Sequence, residues 1–224
     1  MKMLGITSAT GVVGAAVAEG SGVLAEYSIS GKIAQSEKLT AIINEVLEKA
    51  RIKINDIGAV AVTAGPGSYS GLRGGLATAK GLVAALDIPI IPVSTLHAIA
   101  FNLINTDGTI AIAVNACRDD YNFAMFGSHM GELKRLTADI TLKIDRIAEI
   151  FSSISGKLTL AADEGLRKRI SNDNIILAEP RNVVPWAVNV ARIGIEKYNK
   201  KEFGEYLTMA PSYSHKPNIR EFKR

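Results

Sequence analysis

The chain has 224 residues, 47% hydrophobic and 21% charged, so it can bury a substantial core and is not a disordered protein. Its single cysteine, Cys117, excludes an internal disulfide and fits a reducing cytosol, so we expect a cytoplasmic protein. The net charge of +4 is weak evidence for an anionic partner, and no stretch is long enough for a transmembrane span.

The first half of the chain predicts three short strands in hairpin succession, then a helix, a strand, a second helix and a further strand. Turns rich in serine and glycine separate the first three strands, and apolar residues at helical spacing mark the first helix. In chain order, these elements are expected at residues 3–7, 12–18, 23–29, about 35–50, 57–62, 70–86 and 88–93.

The second half begins in the same way. Strands are expected at residues 110–114, 121–126, 133–136 and 158–162, and helices at residues 143–151 and 164–170 and after Pro185. Asp163 is placed to cap the helix that follows it. Three strands and a helix thus occur twice, about a hundred residues apart. This repeat predicts a duplicated α/β unit, with subdomains at residues 1–106 and 107–224.

The most informative segment is residues 65–73, which read Gly-Pro-Gly-Ser-Tyr-Ser-Gly-Leu-Arg between a predicted strand and a predicted helix. Ser68 and Ser70 can cap that helix, and Gly65, Gly67 and Gly71 allow turn conformations that a Cβ would obstruct. A Gly/Ser turn at a helix N-terminus is a weak candidate loop for an anion or a nucleotide. A tight turn with no ligand is the alternative. No Gly-Lys-Ser/Thr follows, so this is not a Walker loop.

The segment resembles a known family when two further motifs are added. Residues 74–82 read Gly-Gly-Leu-Ala-Thr-Ala-Lys-Gly-Leu, and residues 92–96 read Pro-Val-Ser-Thr-Leu. With the glycine loop they resemble the bacterial TsaB (YeaZ) family, whose loop has the form Gly-Pro-Gly-Ser-Phe-Thr-Gly-Leu-Arg. Beyond about residue 126 the resemblance is faint, apart from Pro211-Ser212-Tyr213.

The resemblance implies a fold, a process and partners. The fold would be a duplicated ribonuclease H-like (actin-like ATPase) α/β fold with two subdomains, each a mixed sheet with flanking helices. The last helix and the basic C-terminal tail can pack back on the first subdomain. Family members take part in making threonylcarbamoyladenosine in transfer RNA (tRNA), paired with the paralogue TsaD and the ATPase TsaE. ATP and metal are then expected on those partner subunits, and no cofactor on this chain.

The chain departs from the superfamily where catalysis would need acidic residues. Active actin-like enzymes carry an aspartate at the end of the first strand of each half, and here those positions hold Thr7 and Asn115. Neither is the anionic ligand that Mg²⁺ prefers. TsaD has two histidines where this chain has Thr95 and Ile99. We therefore expect no metal site and no catalytic residue.

Four other reactive side chains have structural explanations. Asp119 and Asp120 fit an exposed hairpin turn, and His97 stands alone near a helix start. Cys117 has no histidine near it in sequence, so nothing predicts a thiolate nucleophile or a protease.

The helix over residues 70–86 is unusually rich in glycine and alanine. Each interior glycine costs about 1 kcal/mol of helix propensity relative to alanine, which suggests close approach to another element. In the TsaB family this helix and the one before it form the surface that pairs with TsaD, or with a second copy when TsaD is not present. The residues predicted for this interface are Leu39, Ile42, Ile43, Val46, Leu72, Arg73, Leu76, Ala77 and Lys80.

The favoured hypothesis is a non-catalytic scaffold subunit that contacts tRNA only indirectly or weakly. One alternative is an actin-like ATPase or kinase-type enzyme, which acidic residues at positions 7 and 115 would have supported. Another is a homodimeric regulatory or RNA-binding protein. The positive charge permits RNA binding, but no basic stretch interleaved with aromatic residues indicates an RNA-reading motif.

Overall fold

The computed structural model describes residues 1–31, 36–170 and 173–214, and the first half is built on a five-stranded sheet. Its strands lie in the order β3-β2-β1-β4-β5, with the first three antiparallel and β4 and β5 parallel to β1. The elements are β1 (Lys2–Thr7), β2 (Val12–Glu19), β3 (Gly22–Ser30), α1 (Leu39–Ala50), β4 (Ile57–Gly65), α2 (Tyr69–Leu86), β5 (Ile90–Ser94) and α3 (Thr95–Ala100). The predicted start of the first helix, near residue 35, lies outside the described residues.

The second half repeats this arrangement in the strand order β11-β10-β6-β7-β8, with β9 also pairing with β7. Strands β6, β7 and β8 are antiparallel, and β10 and β11 are parallel to β6. The match between the two sheets confirms the predicted duplicated fold. The elements are β6 (Gly108–Cys117), β7 (Asp120–His129), β8 (Glu132–Arg135), β9 (Ile140–Lys143), α4 (Ile144–Ser153), β10 (Leu158–Ala162), α5 (Glu164–Arg167), β11 (Ile175–Leu177) and α6 (Ala187–Asn199).

Three short elements, α3, β9 and β11, do not occur in the element order predicted from the sequence. In α3 five of the six side chains are buried, so the helix has no polar face and no amphipathic period to reveal it. The turn predicted at residues 115–120 is also shorter, because β6 runs to Cys117 and β7 begins at Asp120.

Helices α1 and α2 cover one face of the first sheet, where buried Leu39, Val46 and Leu76 share a core with Ile6 and Val62. Helix α1 connects β3 to β4 and α2 connects β4 to β5. Because these three strands are parallel to one another, the two helices run in the same direction along this face. Their outer surfaces lie side by side.

The last helix, α6, belongs to the second half of the sequence but covers the other face of the first sheet. Gly5 permits this packing, because a Cβ there would lie 2.4 Å from the Ala187 oxygen and 2.6 Å from the Ala191 nitrogen. The N-terminus of α6 is held by Glu26 of β3, which accepts a hydrogen bond from the Val188 nitrogen at 3.0 Å. Burial raises the pKa of the Glu26 carboxyl above its ordinary value.

None of the helices that the structure describes combines the length and the hydropathy of a bilayer-spanning segment. The basic residues of the C-terminal tail, from Lys216 onward, lie outside the described residues.

Candidate functional site

The glycine loop connects the end of β4 to the start of α2. Gly65 has a φ of +124°, a conformation that strongly favours glycine. Ser68 is the N-cap of α2, and its Oγ accepts a hydrogen bond from the Gly71 nitrogen at 3.4 Å, which confirms one of the two predicted caps. Ser70 is exposed in the first turn of the helix. The loop therefore begins α2 as the sequence predicts.

The turn after β1 fills the space above the glycines. A Cβ on Gly67 would lie 2.2 Å from the Ala9 oxygen, and one on Gly71 would lie 2.0 Å from the Ser8 oxygen. The Ser68 nitrogen donates to the Ala9 oxygen at 2.7 Å, and the Ser8 hydroxyl donates to the Gly71 oxygen at 2.8 Å. Contacts within the chain thus account for these glycines without a ligand, and the anion loop stays a prediction.

A second segment, which we call the C-terminal strap (residues 211–214), closes over the other side of the loop. The Ser212 nitrogen donates to the Ala64 oxygen at 2.7 Å, and a Cβ on Gly65 would lie 2.2 Å from the Ser212 oxygen. The Ser214 hydroxyl donates a hydrogen bond to the side-chain oxygen of Asn122 on β7. The strap therefore links the first sheet to the second.

The positions that carry acidic residues in active actin-like enzymes lie at the ends of β1 and β6. Thr7 is fully buried, and Asn115 is exposed with its side-chain amide donating to the Arg118 oxygen at 2.8 Å. The carboxylate of Asp163 accepts hydrogen bonds from the backbone nitrogens of Asn115 at 2.6 Å and Leu166 at 3.2 Å. Asp163 thus caps α5, as predicted, and fastens it to β6.

No group of three or more histidine, cysteine, aspartate or glutamate side chains that could hold a metal ion occurs in residues 1–31, 36–170 and 173–214. At the β6–β7 turn Asp119 is exposed and pairs with Arg169, and Cys117 is exposed at the end of its strand. His97 lies in the first turn of α3.

The predicted interface requires a correction. Six of its nine residues are at least 96% buried in the chain's own core, because they form the inner faces of α1 and α2 against the first sheet. They cannot reach a partner while the chain is folded. These six are Leu39, Ile42, Ile43, Val46, Leu72 and Leu76.

The other three residues of the predicted interface lie on the outer surface of α2. Arg73 and Ala77 are exposed, and Lys80 is half-buried with its Nζ donating to the Leu207 oxygen at 3.5 Å. We call this surface the docking face and define it by the outward residues Tyr69, Ser70, Arg73, Ala77, Lys80, Gly81, Ala84 and Asp87. In α1 the apolar period marks the inner face, and the prediction was wrong in assigning that face to a partner. In α2 small residues lie on both sides of the helix, so the sequence does not separate its inner residues from its outer ones.

A separate cleft of about 470 Å³ lies where α3, α6 and the residues after β8 meet. The ring of His97 lies at this cleft and stacks on Phe126, with the ring centroids 5.5 Å apart. Burial, followed by the charges of Arg135, Lys197 and Lys200, lowers the pKa of His97 to about 4. The imidazole is therefore neutral near pH 7.

This histidine should make stability fall in mild acid. Its pKa is 6.5 when unfolded and about 4 when folded, so the native state binds fewer protons between these values. The stabilisation is complete above pH 6.5 and is lost as the pH falls towards 4. Between pH 8 and pH 5 the wild type should lose about 2 kcal/mol through His97, and the His97→Gln variant should not. Urea unfolding at both pH values measures the difference, and an equal pH dependence in the two proteins would contradict the prediction.

Comparisons with known proteins find relatives that act in the biosynthesis of threonylcarbamoyladenosine in tRNA. Residues 22–200 match the family model described as TsaD, tRNA N6-adenosine threonylcarbamoyltransferase. The chain is 29% identical over 174 residues to the tRNA threonylcarbamoyladenosine biosynthesis protein TsaB of Bacillus subtilis, which covers 77% of this chain and 76% of that protein. It is 40% identical over 76 residues to the tRNA N6-adenosine threonylcarbamoyltransferase of Paracoccus denitrificans, but these span 34% of this chain and 21% of that enzyme.

A solved structure from Pseudomonas aeruginosa, described as an uncharacterized protein similar to peptidase YeaZ, superposes with a TM-score of 0.84. The match covers 96% of this chain and 99% of that one at 19% identity. At this identity the likeness shows the fold.

Proposed function

The chain belongs to the TsaD protein family as a member of the TsaB (YeaZ) type, and we propose that it is a non-catalytic scaffold subunit. It would act in the cytoplasmic complex that makes threonylcarbamoyladenosine in tRNA, as the name of its Bacillus subtilis relative suggests. Its partners would be a TsaD-like transferase and a TsaE-like ATPase, which would carry the ATP and the metal. Alone, the chain would form a homodimer.

The observation that carries this proposal is the chemistry at the ends of β1 and β6. Thr7 and Asn115 occupy the two positions, and Asp163, the carboxylate that contacts the Asn115 backbone, is engaged by two backbone nitrogens. A group that is held in this way caps a helix and has little capacity left for a cation. The docking face of α2 then supports a role in assembly, since its central residues are exposed and small.

Depletion of the chain from its native cell tests the proposal. We expect threonylcarbamoyladenosine in total tRNA, measured by mass spectrometry, to fall on depletion and to return with the wild-type chain. The Asn115→Ala variant should restore it equally well, because Asn115 is not a catalytic residue. The purified chain should hydrolyse no ATP above a mock preparation. ATP hydrolysis that survives purification and is lost in Asn115→Ala would show an enzyme instead of a scaffold.

A further inference from the structure

The cleft beside His97 is a concave site with no part in the proposed assembly. We call it the His97 cleft, and it is bounded by the end of β5, by α3, by the C-terminal part of α6 and by residues 135–139. Its volume of about 470 Å³ lies in the range of small-molecule sites, roughly 300–1,000 Å³. None of the docking-face residues lines it. The cleft is therefore available for a role of its own.

Two hydrogen-bond donors of the His97 cleft are oriented by one buried aromatic ring. Phe126 is fully buried, and the His97 ring stacks on it with the ring centroids 5.5 Å apart. The guanidinium carbon of Arg135 lies 4.7 Å from the centre of the same ring. Within the described part of the chain, Asp139 and the Thr137 oxygen both engage Nη1 of Arg135, so its other two nitrogens keep N–H groups for a ligand. Because both side chains are already ordered, they lose little entropy on binding.

Two lysines near the end of α6 add positive charge to the cleft. The Lys197 Nζ donates to the Pro92 oxygen at 3.0 Å and lies 3.6 Å from the Glu202 carboxylate. An ammonium group has three N–H donors, so one remains for a ligand. Lys200 follows three residues later on the same side of the helix and is exposed. Both lysines line the cleft and can contact an anion inside it.

The charges of the cleft are unevenly placed around its imidazole. Besides the three cations, the lining contains three exposed acidic residues, namely Asp139, Glu196 and Glu202. After burial, the strongest influences on the pKa of His97 are the three cations, and each of them lowers it. The ring therefore lies at a positive electrostatic potential, while the carboxylates lie towards the solvent. This arrangement favours a compact anion inside the cleft and repels an extended polyanion such as RNA.

A phosphoryl group fits this set of donors. A guanidinium can bind two phosphate oxygens at once, and ammonium groups neutralise the remaining charge. The neutral imidazole contributes one N–H donor. Val93 and Ile193 also line the cleft and are buried, so they form an apolar wall for an organic group. A bare phosphate ion fills only part of a volume of about 470 Å³, which leaves room for such a group.

We propose that the His97 cleft binds a small phosphate monoester. Arg135, Lys197 and Lys200 hold the phosphoryl oxygens, and the organic part of the ester lies against the apolar wall. The His97 ring donates one hydrogen bond to the phosphoryl group. This binding site goes beyond the proposed scaffold function, because it uses neither the docking face nor the ends of β1 and β6.

Calorimetric titration at about pH 7.5 and constant ionic strength tests the site, with inorganic phosphate and glycerol 1-phosphate as the probes. Both should bind the wild-type chain with a dissociation constant below about 1 mM. Lys200→Gln should raise both constants about 10-fold, because it removes a charge-assisted contact at an exposed position where the fold tolerates the change. Lys201→Gln is the matched control, since Lys201 is exposed and next in sequence but does not line the cleft. It should bind both probes as the wild type does.

The imidazole signals in the NMR spectrum give a second measurement. Saturation with phosphate should shift the signal of His97 and leave that of His129, which is exposed outside the cleft, unchanged. Binding of neither probe, or an equal loss of affinity in Lys200→Gln and Lys201→Gln, would overturn the inference. Binding of phosphate without the ester would also overturn it. A single-stranded RNA oligonucleotide that binds more tightly than the ester and is weakened by Lys200→Gln would assign the cleft to RNA instead.

Discussion

Gly71→Ala should lower the free energy of unfolding by about 2–4 kcal/mol, although alanine is the better helix former. A Cβ at this position would lie 2.0 Å from the backbone oxygen of Ser8, a contact that no rotamer change can relieve. Either the turn after β1 or the first turn of α2 must move. The move would break the hydrogen bond from the Ser8 hydroxyl to the Gly71 oxygen. Urea unfolding at a concentration that keeps the chain monomeric measures the loss.

Gly81→Ala is the matched control, because it makes the same chemical change in the same helix. A Cβ on Gly81 meets nothing within 4 Å, so the variant should be more stable by about 0.5–1 kcal/mol. Opposite signs for the two variants would separate the effect of close packing from helix propensity. If both variants gained stability, the close contact between the Ser8 backbone and α2 would be contradicted.

Ala77→Glu should abolish association through α2 while leaving the fold intact. Ala77 is exposed at the centre of the docking face, so a glutamate is tolerated in the free chain. In a complex the larger side chain would clash with the facing surface and its charge would lose water, which costs several kcal/mol and is felt twice in a symmetric dimer. We expect a folded monomer by sedimentation, with a dissociation constant raised at least about 100-fold, and no capture of the TsaD-like partner in a pull-down.

Ala148→Glu serves as the control for this variant. Ala148 is an exposed helix residue of α4, in the other half of the molecule, so the same substitution there should leave both associations unchanged. Normal binding of the TsaD-like partner by Ala77→Glu would place the docking face elsewhere on the surface. Loss of binding in both variants would indicate a general effect of charge.

Much of the architecture is local and could be predicted from the sequence. Serine and glycine turns separate the β-strands, and the caps Ser68 and Asp163 precede their helices as their chemistry requires. The order of the short apolar segments also predicts the repeat of three antiparallel strands followed by parallel ones. Strands that are neighbours in sequence pair as hairpins, so their order indicates which strands are adjacent in the sheet.

The site was harder to predict, because exposure is a property of the assembled chain. The apolar residues of α1 and α2 were predicted to face a partner, and six of them face the chain's own sheet instead. Nothing near Arg73 in sequence reveals that Tyr213, 140 residues away, accepts its hydrogen bond. The Pro211-Ser212-Tyr213 motif, noted in the sequence only for its resemblance to the family, lies in the strap.

The sequence by itself determined the order of the longer strands and helices, the duplication, the glycine loop and the lack of acidic residues at positions 7 and 115, since each depends on residue type and local spacing. Only the tertiary structure decided which side of α2 is free, and why Gly71 is needed and Gly81 is not. These features depend on contacts between segments that are distant in sequence. A single backbone oxygen close to a glycine decides whether replacing that glycine by alanine raises or lowers the stability.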